Sequence, residues 1–173
     1  MRKAVYFYSK KNLMILSFRQ VGVLCCWMAL YMASCKKNVD VDQSRLLPEM
    51  TDSVNVLRSK GCHCGADSMP PVAPLIWNAQ LAAAAAEHAR DMYVNNYFSH
   101  ISPQGTSPIQ RAMQAGYTGM YVGENIAKGY NTISDVMLAW KNSEAHCKAM
   151  MDTLYKEFGA AEYNGYWVQE FGK

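Results

Sequence analysis

Apolar residues recur at Leu46, Leu47, Met50, Val54 and Leu57, the rhythm of a helix with one buried face, and Gly61 is its natural stop. The next segment, CHCGADSMPPVAP (residues 62–74), holds three prolines and Gly65, and no regular element is expected in it. Asn78 then reads as the N-cap of NAQLAAAAAEHARDMYVNN, whose alanine run has high helix propensity and whose Leu81, Ala85, His88 and Met92 share one face. SPQGTS (102–107) is a turn, Pro108 opens a short helix stopped by Gly116, and MYVGENIAKGY (120–130) reads as an irregular strand or loop. Thr132 or Ser134 caps a helix with Val136, Met137 and Trp140 on its inner side, and Ser143 caps a further turn carrying His146 and Cys147. FGAAEY and GYWVQEFG flank Asn164-Gly165, a strong hairpin signal. The order helix, helix, short helix, strand, helix, hairpin predicts an α+β fold in which helices cover a small antiparallel sheet.

The first 35 residues follow another pattern: Arg2, Lys3, Lys10, Lys11 and Arg19 without an acidic residue, then VGVLCCWMALYMAS, an apolar run of 14 residues. That falls short of the roughly 20 residues of a membrane span and reads as the core of an export signal, with Met14 as an alternative start. Met32-Ala33-Ser34-Cys35 resembles a bacterial lipoprotein junction, where small residues precede a cysteine that is lipidated and becomes the new N-terminus; Met32 stands where Leu is usual. An ordinary membrane anchor and a cleaved soluble signal are the alternatives. The expected organisation is a signal peptide over 1–35, a flexible tether over 36–45 and one domain over 46–173, because 173 residues, 50% of them hydrophobic, suffice for one core. The leader takes five of the 17 Lys and Arg, leaving 12 against 14 Asp and Glu, so the net charge moves from +3 to about −2. No basic, aromatic-laced stripe remains, which excludes nucleic acid as a partner.

His88 lies within an apolar helix face and reads as a hydrogen-bonded core histidine, whereas His100 follows that helix and precedes a turn, at the rim of the fold. His146 falls in the first turn after Ser143, where the helix dipole disfavours imidazolium, and a neutral imidazole suits either a metal or a general base. Glu124 follows Gly123 in an apolar strand, where a carboxylate needs a partner, structural or catalytic. Adjacent helix residues diverge by about 100°, so His146 is badly placed to activate Cys147 as a nucleophile. With Cys25 and Cys26 in the leader and Cys35 at the lipid junction, Cys62, Cys64 and Cys147 remain for the domain. Zinc held by these three with His63 or His146 has the right atoms but lacks paired C-x₂-C spacing; an exported domain favours a disulfide from Cys147 to Cys62 or Cys64.

The ordered segments PLIWNAQLAAAAAEHARDM, NNYFSHISPQG, GYTGMYVGENIAKGY, AWKNSEAHCKAM and GYWVQEFG resemble the bacterial branch of the CAP superfamily, the group of cysteine-rich secretory and pathogenesis-related proteins, over roughly residues 50–172. The resemblance implies an α-β-α sandwich with a central cleft, lined in eukaryotic members by two histidines and two acidic residues that can bind a divalent metal. His100 matches the first histidine and Glu124 the first acidic residue. Ser143 stands where eukaryotic members tend to have Glu, and Tyr166 where they have the second histidine; the bacterial Ser-x-x-His motif, here Ser143 to His146, supplies a histidine instead. The implied site is His100, Glu124 and His146 around a divalent metal such as zinc, with Ser143, Asn125 and Gln169 as further polar contacts. The implied protein is exported, lipid-anchored at Cys35 in a bacterial envelope or secreted, and binds a metal, a lipid or sterol-like molecule or a cell-wall fragment. The competing reading is a metal-dependent hydrolase in which Glu124 moves the proton.

Overall fold

A computed structural model describes residues 40–173, with side chains from Glu49 onward. The leader, the junction at Cys35 and residues 36–39 of the expected tether lie outside the described residues. Helix α1 (Asp40–Lys60) begins inside the segment expected as tether and ends where Gly61 takes a left-handed φ of 69°. The stretch expected to lack regular structure instead opens with a small hairpin, β1 (Cys62–Cys64) antiparallel to β2 (Asp67–Met69). Gly65 supplies its turn with φ 62°, and Pro70, Pro71 and Pro74 all lie beyond it, where no ladder hydrogen bond is lost.

A two-residue strand, β3 (Ile76–Trp77), leads into α2 (Ala79–Val94), which Asn78 caps by accepting from the backbone N–H groups of Gln80 at 2.9 Å and Leu81 at 3.1 Å. There follow α3 (Pro108–Gln114), β4 (Val122–Lys128), α4 (Ile133–Asn142), α5 (Glu144–Met151), β5 (Glu157–Tyr163) and β6 (Tyr166–Gly172). Thr132 caps α4, and Asn164 (φ 47°) with Gly165 (φ 80°) turns the β5–β6 hairpin with the two positive φ values of a type I′ turn.

The larger sheet has the order β3-β5-β6-β4. Its β3–β5 pairing is parallel and the rest antiparallel, so the sheet expected to be antiparallel is mixed. On one face, Met50, Val54, Val136, Met137, Trp140 and Met150 of α1, α4 and α5 pack on Phe158, Ala160, Trp167 and Phe171. On the other, Ala85, Ala89 and Met92 of α2 pack on Ile126, Ala161 and Val168. The small side chains let α2 rest almost directly on the sheet: a Cβ added at Gly159 would lie 2.1 Å from the backbone nitrogen of Ala82. The result is an α-β-α sandwich with β4 at one edge.

Candidate functional site

Side chains alternate across β4, so Glu124 shares the α2 face with Ile126, while Asn125 and Ala127 face α4 and α5. On the α2 face the carboxylate of Glu124 is 1% exposed. Its Oε1 accepts from Nδ1 of His100 at 2.7 Å and its Oε2 from Nη2 of Arg111 at 2.5 Å. Arg111 also donates to the backbone carbonyls of His100 (3.1 Å) and Thr106 (2.9 Å), which fastens the loop after α2 to the edge strand. An ionised carboxylate can only accept, so Nδ1 of His100 carries the hydrogen; the neutral ring then presents its lone pair at Nε2, on a side chain 50% exposed.

Burial pushes the Glu124 carboxyl up, but the His100 hydrogen bond and the Arg111 charge, joined by His88 and Glu170, hold it below its ordinary value. Glu170 is its register partner across the ladder and is wholly buried. Burial, followed by the charge of Glu124, holds Glu170 well above the usual carboxylate range. Glu170 therefore stays protonated beside ionised Glu124, and neither of its oxygens meets a hydrogen-bond partner among the described residues. His88, also fully buried, donates from Nε2 to the Ser99 carbonyl at 3.0 Å and lies 3.7 Å from Glu124, so the core histidine of α2 buttresses the same loop and carboxylate.

His146 approaches β4 from the opposite layer, in the first turn of α5. Ser143 is the N-cap by position, but its hydroxyl makes no capping bond and instead meets Nδ1 of His146 at 2.8 Å. Burial holds His146 below its ordinary value, and a proton on nearby His100 would lower it further, so His146 is neutral at pH 7. Asn125 donates to the His146 carbonyl at 3.2 Å and to Oε1 of Gln169 at 3.1 Å. Gln169 is fully buried between the sulfurs of Met50 and Met137. Asn125 and Gln169 thus lie beneath α5 and hold its first turn, rather than facing the cleft. Both oxygens of Glu124 are engaged, which makes it the orienting partner of His100. Among the described residues, the three-residue group whose ligand atoms all fall within 4.8 Å is Cys62, Cys64 and Cys147, and there Cys64 and Cys147 form a disulfide.

Sequence reasoning missed Arg111 and Glu170. Glu170 carried the same signal as Glu124, an acid within an apolar strand; Arg111 carried none, because its role depends on which strand α3 packs against. A Glu170→Gln variant places a neutral amide of the same size opposite Glu124, without a titrating carboxyl. A carboxyl with a raised folded pKa binds more protons folded than unfolded, so its cost grows as pH rises from about 4.5. The variant is expected to gain roughly 1 kcal/mol or more at pH 7 and nothing below pH 4.5. Thermal unfolding across pH checks this, and a gain that does not change with pH would contradict it.

Three layers about a short sheet, with a buried carboxylate pinning an exposed histidine at the edge strand, define an SCP-type domain. The sequence matches the cysteine-rich secretory protein family, CAP, over residues 51–171, and the chain belongs to that family. It is 36% identical over 100 residues to the uncharacterized protein YkwD of Bacillus subtilis, covering 57% of this chain and 39% of that protein. It is 33% identical over 125 residues to the uncharacterized membrane protein YlbC of the same organism, covering 72% of this chain and 34% of that protein. The chain therefore matches less than two fifths of the length of either curated relative. An extracellular SCP-domain protein of Bacillus anthracis superposes with a TM-score of 0.68 at 28% identity, over 76% of this chain and 41% of that one. An outer surface protein of Borrelia burgdorferi shares the fold, with a TM-score of 0.62 at 24% identity, over 73% of this chain and 90% of that one.

Proposed function

We propose that this CAP-domain protein is exported, held at a membrane by lipid on Cys35, and binds its ligand at the edge of β4 through the imidazoles of His100 and His146. The observation that carries the reading is the hydrogen bond from Nδ1 of His100 to buried Glu124, which leaves the other nitrogen of a half-exposed ring free to bind. A divalent cation such as zinc fits this donor chemistry: His100 and His146 would hold it, and it would supply Lewis acidity with positions left for water or a ligand oxygen. A cell-wall fragment, a lipid or a sterol-like molecule are the ligand classes in view. Binding is favoured over metal-dependent hydrolysis because Glu124, clamped between Arg111 and His100, is poorly placed to pass protons. Export is supported by the basic and apolar leader and by the extracellular and outer-surface neighbours.

Calorimetric titration of the disulfide-bonded protein with Zn²⁺ tests the site. His100→Ala and His146→Ala are each expected to weaken binding by at least about tenfold, while exposed His63→Ala leaves it unchanged. If both cleft variants bind zinc as the parent does, the cation reading is wrong.

A further inference from the structure

Away from the histidines, β1 and α5 gather three sulfurs. The Cys64–Cys147 bond is buried, and Cys62, on the same face of β1 as Cys64 and partly exposed, keeps a free thiol. Its Sγ lies 3.8 Å from Sγ of Cys64 and 3.6 Å from Sγ of Cys147. Those near-equal distances set Cys62 beside the bond rather than at its end, whereas displacement of one sulfur by another needs an approach along the bond. Burial also pushes the Cys62 thiol up, against the opposing charge of Lys141, so it rests protonated at neutral pH. Side-on and protonated, Cys62 is poorly disposed for exchange with the disulfide.

The same placement suits a metal. Thiolates bound to zinc at about 2.3 Å in tetrahedral geometry lie roughly 3.8 Å apart, and Cys62 already stands at about that separation from both other sulfurs. A dithiol reductant that opens Cys64–Cys147 supplies two electrons and two protons, becomes a disulfide itself, and leaves two thiols in the chain. Only the Cys64–Cys147 separation must then widen, by side-chain rotation across a Cα distance of 5.4 Å.

We propose that Cys62, Cys64 and Cys147 form a redox-gated thiolate site for zinc, closed while Cys64 and Cys147 are bonded and open when they are reduced. Metal binding releases the thiol protons and replaces one cross-link between β1 and α5 with another. Cys62 borders a groove of about 720 Å³ between α1 and α4, lined also by Val56, Leu57, Lys60, Met137 and Lys141, which would give an ion held at Cys62 a route to water.

The test uses protein carrying His100→Ala and His146→Ala, so that the histidine cleft does not contribute and failure here leaves the reading of that cleft untouched. Zinc is titrated against a chromogenic chelator before and after reduction. The expected result is one equivalent per reduced chain, none per oxidised chain, and affinity weakened by at least about tenfold on adding Cys62→Ser. If reduction unfolds the protein, the readout becomes zinc-driven recovery of far-ultraviolet circular dichroism, again dependent on Cys62. The proposal is overturned if the reduced protein neither takes zinc nor regains structure, if Cys62→Ser behaves as its parent does, or if the oxidised chain takes the equivalent.

Discussion

An Arg111→Met variant is expected to lose roughly 3–5 kcal/mol of unfolding free energy at neutral pH. The methionine fills most of the guanidinium's volume, so the loss comes from charge rather than from a cavity. Without Arg111, Glu124 is buried opposite Glu170 with no cation against it except a protonated imidazole, the His100 carbonyl loses its Arg111 bonds, and the Thr106 carbonyl keeps only the Ser102 N–H. Breaking one side of a buried pair costs more than the pair contributes, because the survivor keeps its desolvation penalty. Adding Glu124→Gln removes that stranded charge, so the double variant should recover a substantial part of the loss in urea unfolding at pH 7. A single variant within about 1 kcal/mol of wild type, or a double variant whose losses simply add, would mean that Arg111 does not compensate Glu124.

A Cys147→Ser variant should be destabilised on a similar scale. The bond joins positions 83 residues apart, for which the chain-entropy relation gives roughly 4–5 kcal/mol at 25 °C. Cys62→Ser is the matched control, since Cys62 is unbonded, and should move the unfolding midpoint little under oxidising conditions. The defect in Cys147→Ser should also be local. Freed from β1, α5 keeps the Asn125 bond to the His146 carbonyl and the exposed Lys148–Asp67 ion pair to β2, so hydrogen exchange there should rise before the sheet opens. If the variant unfolds at the wild-type denaturant concentration without reductant, the bond does not contribute as argued.

Long periodic elements were legible in the sequence: α2 with its Asn78 cap, α3 from Pro108, α4 from Thr132 and the Asn164-Gly165 turn all lie where pattern and turn chemistry put them. The departures have physical causes. β3 is two residues long and has no period to detect, and in residues 62–74 Gly65, which reads with the three prolines as a breaker, is the turn of a short hairpin. Every residue of β6 is buried, so no polar alternation marks which face Glu170 takes. Asn125 and Gln169 have the right chemistry for a cleft but the wrong parity on the strand, one residue out of phase with Glu124 and Glu170. His100, Glu124 and His146 were readable because each stands in a short motif; what each bonds to belongs to tertiary structure.

The position of β6 inside the sheet sets the order in which this fold can close. Among the described residues β4 is paired to β6 alone, and β5 finds its antiparallel neighbour only in β6. A nascent chain that has not yet reached Tyr166 can therefore assemble helices and the two-residue β3–β5 contact but no stable sheet, and its long-range pairing waits on the last strand.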